Sequence, residues 1–526
     1  MVLFLLILLT FLSAACSQNN TVTVVTSKGP LVGYKQDGFN TFFGIPYAMV
    51  NEDNPFGSTL PYPNFKIPFN ANDSSIICPQ VYFNNNGVVQ CLRLNIYVPT
   101  TKKSRPILVW FHGGGFAFGS AGEYGGQYLV KHDIIVITVN YRLGPYGFFC
   151  LNEPSVPGNQ GMKDQIAALR WIKDHIGAFG GDPKQVTIAG ESYGGGAVDL
   201  HLYSKYETLF QKAIIQSGSL YVTEGIFVKP DYEAAIKLAK QLRNSPANTK
   251  DALKYLASWR LPIDVNAATR NLSLTLALCK EKKFKGVQNF ITDDPYRLPN
   301  NKRIKNMPIM IGYTSQEMLY EFANKPKKFY DKLTIGIQDQ LKKTFVLKKK
   351  ELDTLSNIIK TLYLGAKPIG PESQLELSDF MSDFAINYGA EWSVNRYLEQ
   401  GAKVYKYMFS YIGASEYKNV TGAGASHTEE LKYLFDWVWA TPLEGAEQLM
   451  MRDRMTTMWA NFVKHGNPTP QKTDLLPVAW TPVNGTGRQY LNIDVEMSMK
   501  DHAYQQRMAF WDLFWHVHLK KHVLLH

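Results

Sequence analysis

The stretch Val186-Thr187-Ile188-Ala189-Gly190-Glu191-Ser192-Tyr193-Gly194-Gly195 decides how this chain is read. Four residues of strand-forming, apolar character run into a Gly-x-Ser-x-Gly turn, and the residues after it can form a helix. A serine on a sharp strand-to-helix turn projects its hydroxyl above a sheet, and glycines on both sides relieve the crowding of that turn. A helix beginning at the serine directs the positive end of its dipole at any anion formed there. Ser192 is therefore the candidate nucleophile, and the alternative is a glycine-rich turn with a capping serine.

Outward from this turn the pattern is regular. Residues 21–25 and 41–44 read as short early strands, and 92–98, 107–111, 134–139, 212–216, 308–312 and 404–409 as further strands. The segment 107–111 is wholly apolar, which fits a central strand. Residues 161–179 carry Ile166, Leu169, Ile172 and Ile176 at helical spacing. Strands alternating with helices predict an α/β fold with a central, mostly parallel sheet covered on both faces. Residues 221–306 are less regular, with helices expected at 231–242 and 249–258, and read as a helical insert. Helices are also expected at 452–464 and 502–516.

The chain has 526 residues, of which 45% are hydrophobic and 19% charged, an ordinary globular composition that excludes disorder. Residues 1–16, an apolar run followed by Ser13-Ala14-Ala15, read as a secretory signal peptide cleaved between 15 and 17, leaving 17–526 as one domain. No other stretch is apolar for long enough to span a bilayer, so no integral membrane anchor is expected. Asn19, Asn72, Asn271, Asn419 and Asn484 each begin an N-x-S/T sequon, as in a secreted glycoprotein. Of the five cysteines, Cys78 and Cys91 flank a short polar loop and are the disulfide candidate, a link contributing about 3 kcal/mol in an oxidising compartment. Cys150 reads as a buried thiol, and Cys279 as free or paired with it. The net charge of +11 is concentrated in lysines at 325–332 and 342–350. These suit a solvated helical face or weak binding to an anionic surface. Aromatic interleaving of the kind that binds nucleic acid is absent.

A nucleophilic serine needs donors for the oxyanion, a base, and a carboxylate to orient the base. The strand ending at His112 runs directly into Gly113-Gly114-Gly115. The expected donors are the N–H groups of Gly114 and Gly115, with that of Tyr193, the residue after the nucleophile. For a serine on this kind of elbow the partners follow in the order serine, acid, histidine. That order removes His112, His132, His175 and His201. His465 closes a helix, and the last five histidines lie in or beyond the final one. His427, on a loop after strand 404–409, remains as the base. Glu317, just past the strand 308–312, is the expected acid, with Glu224, Asp231, Asp293 and Asp294 as competitors in the insert. Such a triad calls for neither metal nor organic cofactor.

The chain resembles the carboxylesterase/cholinesterase family (type-B carboxylesterases) along nearly its whole length. The runs FFGIPYA at 42–48, CLRLNIYVP at 91–99, HGGGF at 112–116, NYRLGPYGF at 140–148, GESYGG at 190–195, AIIQSG at 213–218, GASHTEEL at 424–431 and WANFVKHGNP at 459–468 carry the resemblance. It implies an α/β-hydrolase fold and a Ser/Glu/His triad, carried here on Ser192, Glu317 and His427. Together with the leader, it is most similar to secreted insect carboxylesterases.

Departures are informative. The family commonly has Ala where this chain has Tyr193. One family salt bridge falls here on Pro55 and Val89, so both partners are lost together, whereas another family pair is kept as Arg142 and Asp164. Between Cys78 and Cys91 stand Tyr82 and Phe83 but not the Trp that binds choline in cholinesterases. Many juvenile hormone esterases have Gln before the nucleophile, where this chain has Glu191. The family's other disulfide, within the insert, is not expected, because Cys279 has no local mate. The function expected is a secreted carboxylesterase acting on a small ester through an acyl-enzyme. The rivals are a lipase-like esterase at anionic interfaces and a catalytically silent adhesion ectodomain.

Overall fold

The computed structural model describes residues 20–525 apart from 81–86, 102–103, 222–224, 260, 334–335 and 485–487. The leader, Asn19, Tyr82, Phe83 and Glu224 therefore lie outside the described residues.

One large twisted sheet runs through the molecule. Its strands are β1 Thr21–Thr26, β2 Gly29–Lys35, β3 Phe39–Pro46, β4 Arg93–Pro99, β5 Arg105–Phe111, β6 Ile135–Val139, β7 Gly181–Glu191, β8 Lys212–Gln216, β9 Pro308–Thr314, β10 Lys403–Phe409, β11 Tyr490–Ile493 and β12 Ser498–Lys500. In space they follow the order β1-β2-β3-β4-β6-β5-β7-β8-β9-β10-β11-β12, with the short Phe69–Asn70 beside β2. The pairs from β6–β5 through β10–β11 are parallel. Both ends are antiparallel. The sequence located most of the interior strands and missed β2, β11 and β12. β2 and β12 lie near the sheet margins and are only partly buried, which weakens the apolar signal, whereas β11 is buried but only four residues long.

Alternation along β5 shows why both faces are covered. Ile107, Val109 and Phe111 enter one core, with Ile166, Leu169 and Ile172 of helix α1 (Gln160–His175) and Ala197, Val198 and Leu200 of α2 (Tyr193–Tyr203). Leu108 and Trp110 enter the opposite core, with Met451, Met455, Trp459 and Phe462 of the long helix at Gly445–His465. A strand buried on both faces reads as an unbroken apolar run, which is how 107–111 reads.

The insert holds three helices, α3 Ala234–Gln241, α4 Thr249–Ala257 and α5 Pro262–Asn271, with a third small core around Leu238, Leu253 and Val265. The expected pair is present; α5 was not anticipated. A disulfide ties the insert to the sheet. Cys150 and Cys279 form a disulfide with Cα atoms 6.5 Å apart, so Cys150 is not the buried thiol its apolar context suggested. The partners are 129 residues apart in sequence, and only the packing of the short strand Leu278–Cys279 beside the 150–158 loop brings them together. The other disulfide joins Cys78 and Cys91, as anticipated. The Arg142–Asp164 pair is present, fully buried, at 2.7 Å. Arg142 also donates to the carbonyls of Pro55 (2.9 Å) and Gly57 (2.7 Å), which completes its hydrogen bonds at the point where the other salt bridge is missing.

Candidate active site

Five parallel strands end on one edge of the sheet, and the candidate residues collect there. β5 leads into Gly113–Gly115, β7 into Ser192, β8 into Ser217, β9 into Glu317, and β10 into the loop bearing His427. Ligands bind outside the carboxyl ends of the strands in open parallel sheets. A cavity of about 410 Å³ opens at this edge, and Gly114, Gly115, Glu191, Ser192, Tyr193 and His427 all line it.

Ser192 sits between β7 and α2 at φ 56°, ψ −127°, a conformation that a non-glycine residue holds only where its surroundings impose it. Its N–H donates to the Gln216 carbonyl at 2.9 Å and its own carbonyl accepts from Gly196. Gly194 is needed for space: a Cβ there would lie 2.2 Å from the Phe111 carbonyl oxygen. Gly114 turns at φ +97° with the Phe118 carbonyl 2.2 Å from where a Cβ would be, so only glycine presents the backbone of this loop to the cavity. Among the described residues the N–H groups of Gly114 and Gly115 donate to no acceptor. Tyr193 is the first residue of α2, and its ring packs edge-on against Phe116 at 5.1 Å.

Behind the cavity Glu317 is fully buried. Its Oε2 lies 2.5 Å from His427 Nδ1, and Oε1 accepts from Ser217 Oγ and the Thr314 N–H, both at 2.6 Å. The backbone repeats the pairing, with His427 N–H donating to the Glu317 carbonyl at 2.9 Å. Glu224 is not described, and the other competitors in the insert make different contacts: Asp231 binds Lys237 and Asp294 binds Lys280.

A further carboxylate flanks the imidazole. Glu191 Oε1 lies 3.1 Å from His427 Nε2 but out of line for a hydrogen bond, so it is a buried oxygen with no hydrogen-bond partner among the described residues. Burial opposes the charged imidazole, but Glu191 and Glu317 outweigh it and push the His427 pKa up to about 10. Burial raises the Glu191 carboxyl to about 8, with His427 pulling the other way. Glu430, also buried and bonded by Gln216, is raised to about 7 by burial and by Glu317. Burial thus opposes charge on Glu191 and Glu430, while the carboxylates beside the imidazole favour its protonated form.

Sequence reasoning noticed Glu191 only as a departure from Gln, quoted Glu430 within the His427 run without giving it a role, and missed Ser217. Ser217 meets Glu317 only across the sheet edge, whereas Glu430 lies three residues after His427 and bonds Gln216. The rim is aromatic: Tyr320, Trp437 and Trp439 line both this cavity and a larger outer one of about 880 Å³. Of the sequons, Asn72, Asn271, Asn419 and Asn484 are exposed. The lysine clusters lie on surface helices, with Lys327 paired to Asp331 and Lys342 to Asp339, and none of their lysines lines the cavity.

The geometry agrees with comparisons to known proteins. The carboxylesterase family model matches residues 20–511. Esterase FE4 of Myzus persicae is 29% identical over 517 residues, 89% of each chain. The juvenile hormone esterase of Heliothis virescens is 32% identical over 523 residues, 90% of each. Carboxylesterase 5A of Homo sapiens is 30% identical over 527 residues, 94% of this chain and 87% of its own. This chain belongs to the carboxylesterase family.

Proposed function

We propose that this protein is a secreted serine carboxylesterase in which Ser192 is the nucleophile, His427 the base and Glu317 the acid. The observation that carries the proposal is the Glu317–His427 contact at 2.5 Å, set beside a strained serine and two uncommitted glycine N–H groups. The neutral imidazole takes the Ser192 proton on Nε2 as Oγ bonds to the ester carbonyl carbon. Glu317 stabilises the imidazolium that results. The carbonyl electrons move onto oxygen, where the N–H groups of Gly114, Gly115 and Tyr193 receive the negative charge. Collapse expels the alcohol, which takes the proton back from His427 and leaves an acyl-serine. Water then repeats the sequence, releasing the acid and restoring Ser192.

Secretion is supported by the apolar leader, by four exposed sequons, and by two disulfides of a kind that persists in oxidising compartments. The substrate is proposed as a small carboxylic ester whose bulk is limited by Tyr193. That side chain, with Gly115 and Phe118, separates the catalytic cavity from a neighbouring one of about 520 Å³.

The test is hydrolysis of p-nitrophenyl acetate by the purified glycosylated protein. Turnover that disappears in Ser192→Ala, together with stoichiometric labelling of the wild type by an organophosphate, supports the proposal. Folded wild-type protein without turnover refutes it.

A further inference from the structure

Glu317 and His427 arrive on two loops that are 110 residues apart, yet carboxylate and imidazole meet at hydrogen-bond distance. The loops are stitched together just before each functional group. Gln316 N–H donates to the Ala425 carbonyl at 2.8 Å, Gly424 N–H donates to Gln316 Oε1 at 3.0 Å, and Ala425 N–H donates to Ser315 Oγ at 2.9 Å. The Gln316 amide then reaches away from the cavity, and its Nε2 donates to Asp379 Oδ1 at 3.0 Å.

Asp379 lies on a helix, α6 (Gln374–Ser382), that runs into a wide turn at Asp383–Asn387. Its other oxygen, Oδ2, is 2.6 Å from an Arg507 nitrogen of the C-terminal helix α7 (Gln505–His518). Arg507 also binds Asp383, at 2.7 Å. Its guanidinium stacks 4.0 Å over the ring of Tyr504, whose hydroxyl donates to the Ser315 carbonyl at 2.5 Å. Asp383 is otherwise bonded by Tyr363 and Asn387, both neutral. Arg507 is thus the one cation bound to these two carboxylates among the described residues.

We infer that Arg507 is a positioning residue: through Asp379 and Gln316 it clamps the loops of Glu317 and His427 against each other, so that the C-terminal helix sets the acid–base geometry without touching the cavity. The inference rests on the proposed roles of Glu317 and His427. Its physical logic is direct. Without the guanidinium, the buried Asp383 and the part-exposed Asp379 lose the cation they share, and Asp379 turns away toward solvent or takes up a proton. Gln316 then keeps only the longer bond from Nε2 to the Leu375 carbonyl, at 3.4 Å, and the hydrogen bonds it makes to the histidine loop lose their fixed origin.

The test uses the full-length protein with p-nitrophenyl acetate, kcat being normalised to serine titrated by an organophosphate. Misplacement of catalytic groups by about 1 Å costs up to roughly 100-fold. Arg507→Met is expected to lower kcat about tenfold or more with KM within twofold, and Arg507→Lys to recover most of the loss. Gln316→Ala, which leaves no buried charge unpaired, should show the same split if Arg507→Met does not fold. Gln316→Ala with Arg507→Met should be no worse than the worse single variant. Unchanged kcat in a folded single variant, or losses that multiply, overturns the inference. If the wild type has no turnover, the proposed function fails instead, and the clamp is judged by the low-field proton resonance of His427 Nδ1–H. A shift in Arg507→Met supports it, and an unmoved resonance overturns it.

Discussion

Glu191 Oε1 lies 3.1 Å from His427 Nε2, so the residue preceding Ser192 places a carboxylate against the edge of the imidazole that takes the serine proton in the proposed mechanism. The contact is out of line for a hydrogen bond, so the carboxylate acts on the ring through its field. Glu191 therefore sets the proton affinity of the base without capturing it.

The first expectation concerns pH. His427 works as a base only when neutral, and Glu191 raises its pKa. Glu191→Gln removes that negative charge, lowers the imidazole pKa, and moves the acid limb of kcat/KM to lower pH. A pH–rate profile on an acetate ester checks this. An acid limb that stays in place or moves upward contradicts the role given to Glu191.

Ser217 touches Glu317, the carboxylate bonded to the other ring nitrogen. Its hydroxyl donates to Glu317 Oε1 at 2.6 Å, a charge-assisted bond of about 1.5–3 kcal/mol. Ser217→Ala is expected to lower kcat roughly tenfold with little change in KM, since the bond orients the acid and does not bind substrate. Steady-state kinetics on two esters of different size separates the two parameters.

Tyr193→Ala tests the control of size. The ring is shared by the catalytic cavity and the 520 Å³ cavity beside it, and its removal joins the two. The ratio of kcat/KM for a bulky ester to that for an acetate should rise about tenfold or more, in line with 1–3 kcal/mol per methylene accommodated. A ratio that does not change places the size limit elsewhere.

The Cys150–Cys279 disulfide closes a loop of more than a hundred residues, for which the chain-entropy estimate is about 5 kcal/mol. Cys150→Ser, Cys279→Ser and the double variant should therefore lose similar stability, because any one of them opens the same loop. Denaturant unfolding of the three variants checks the equality.

Residue order and local pattern carried a large share of the answer. β5 read as central because every residue from Ile107 to Phe111 is apolar, and burial on both faces requires that. Ser192 was legible because its strained turn demands glycines at fixed offsets, a constraint written within five residues. The glycine turn at Gly114 and Gly115 was legible for the same reason, and chain order and strand ends singled out His427 and Glu317, which the fold brings into contact.

Tertiary structure alone decided what depends on approach between distant segments. The Cys150–Cys279 disulfide, the contact of Glu191 with His427, the bond from Ser217 to Glu317 and the path from Arg507 to the Gln316 loop all join residues far apart in the chain. Hydrogen bonds and ion pairs act over a few ångströms, whereas sequence records only neighbours along the backbone, so a local pattern can announce a turn but not the partner that folding brings to it. The sequence by itself determined the fold class and the candidate chemical groups. The packed sheet edge decided how those groups are charged, oriented and held.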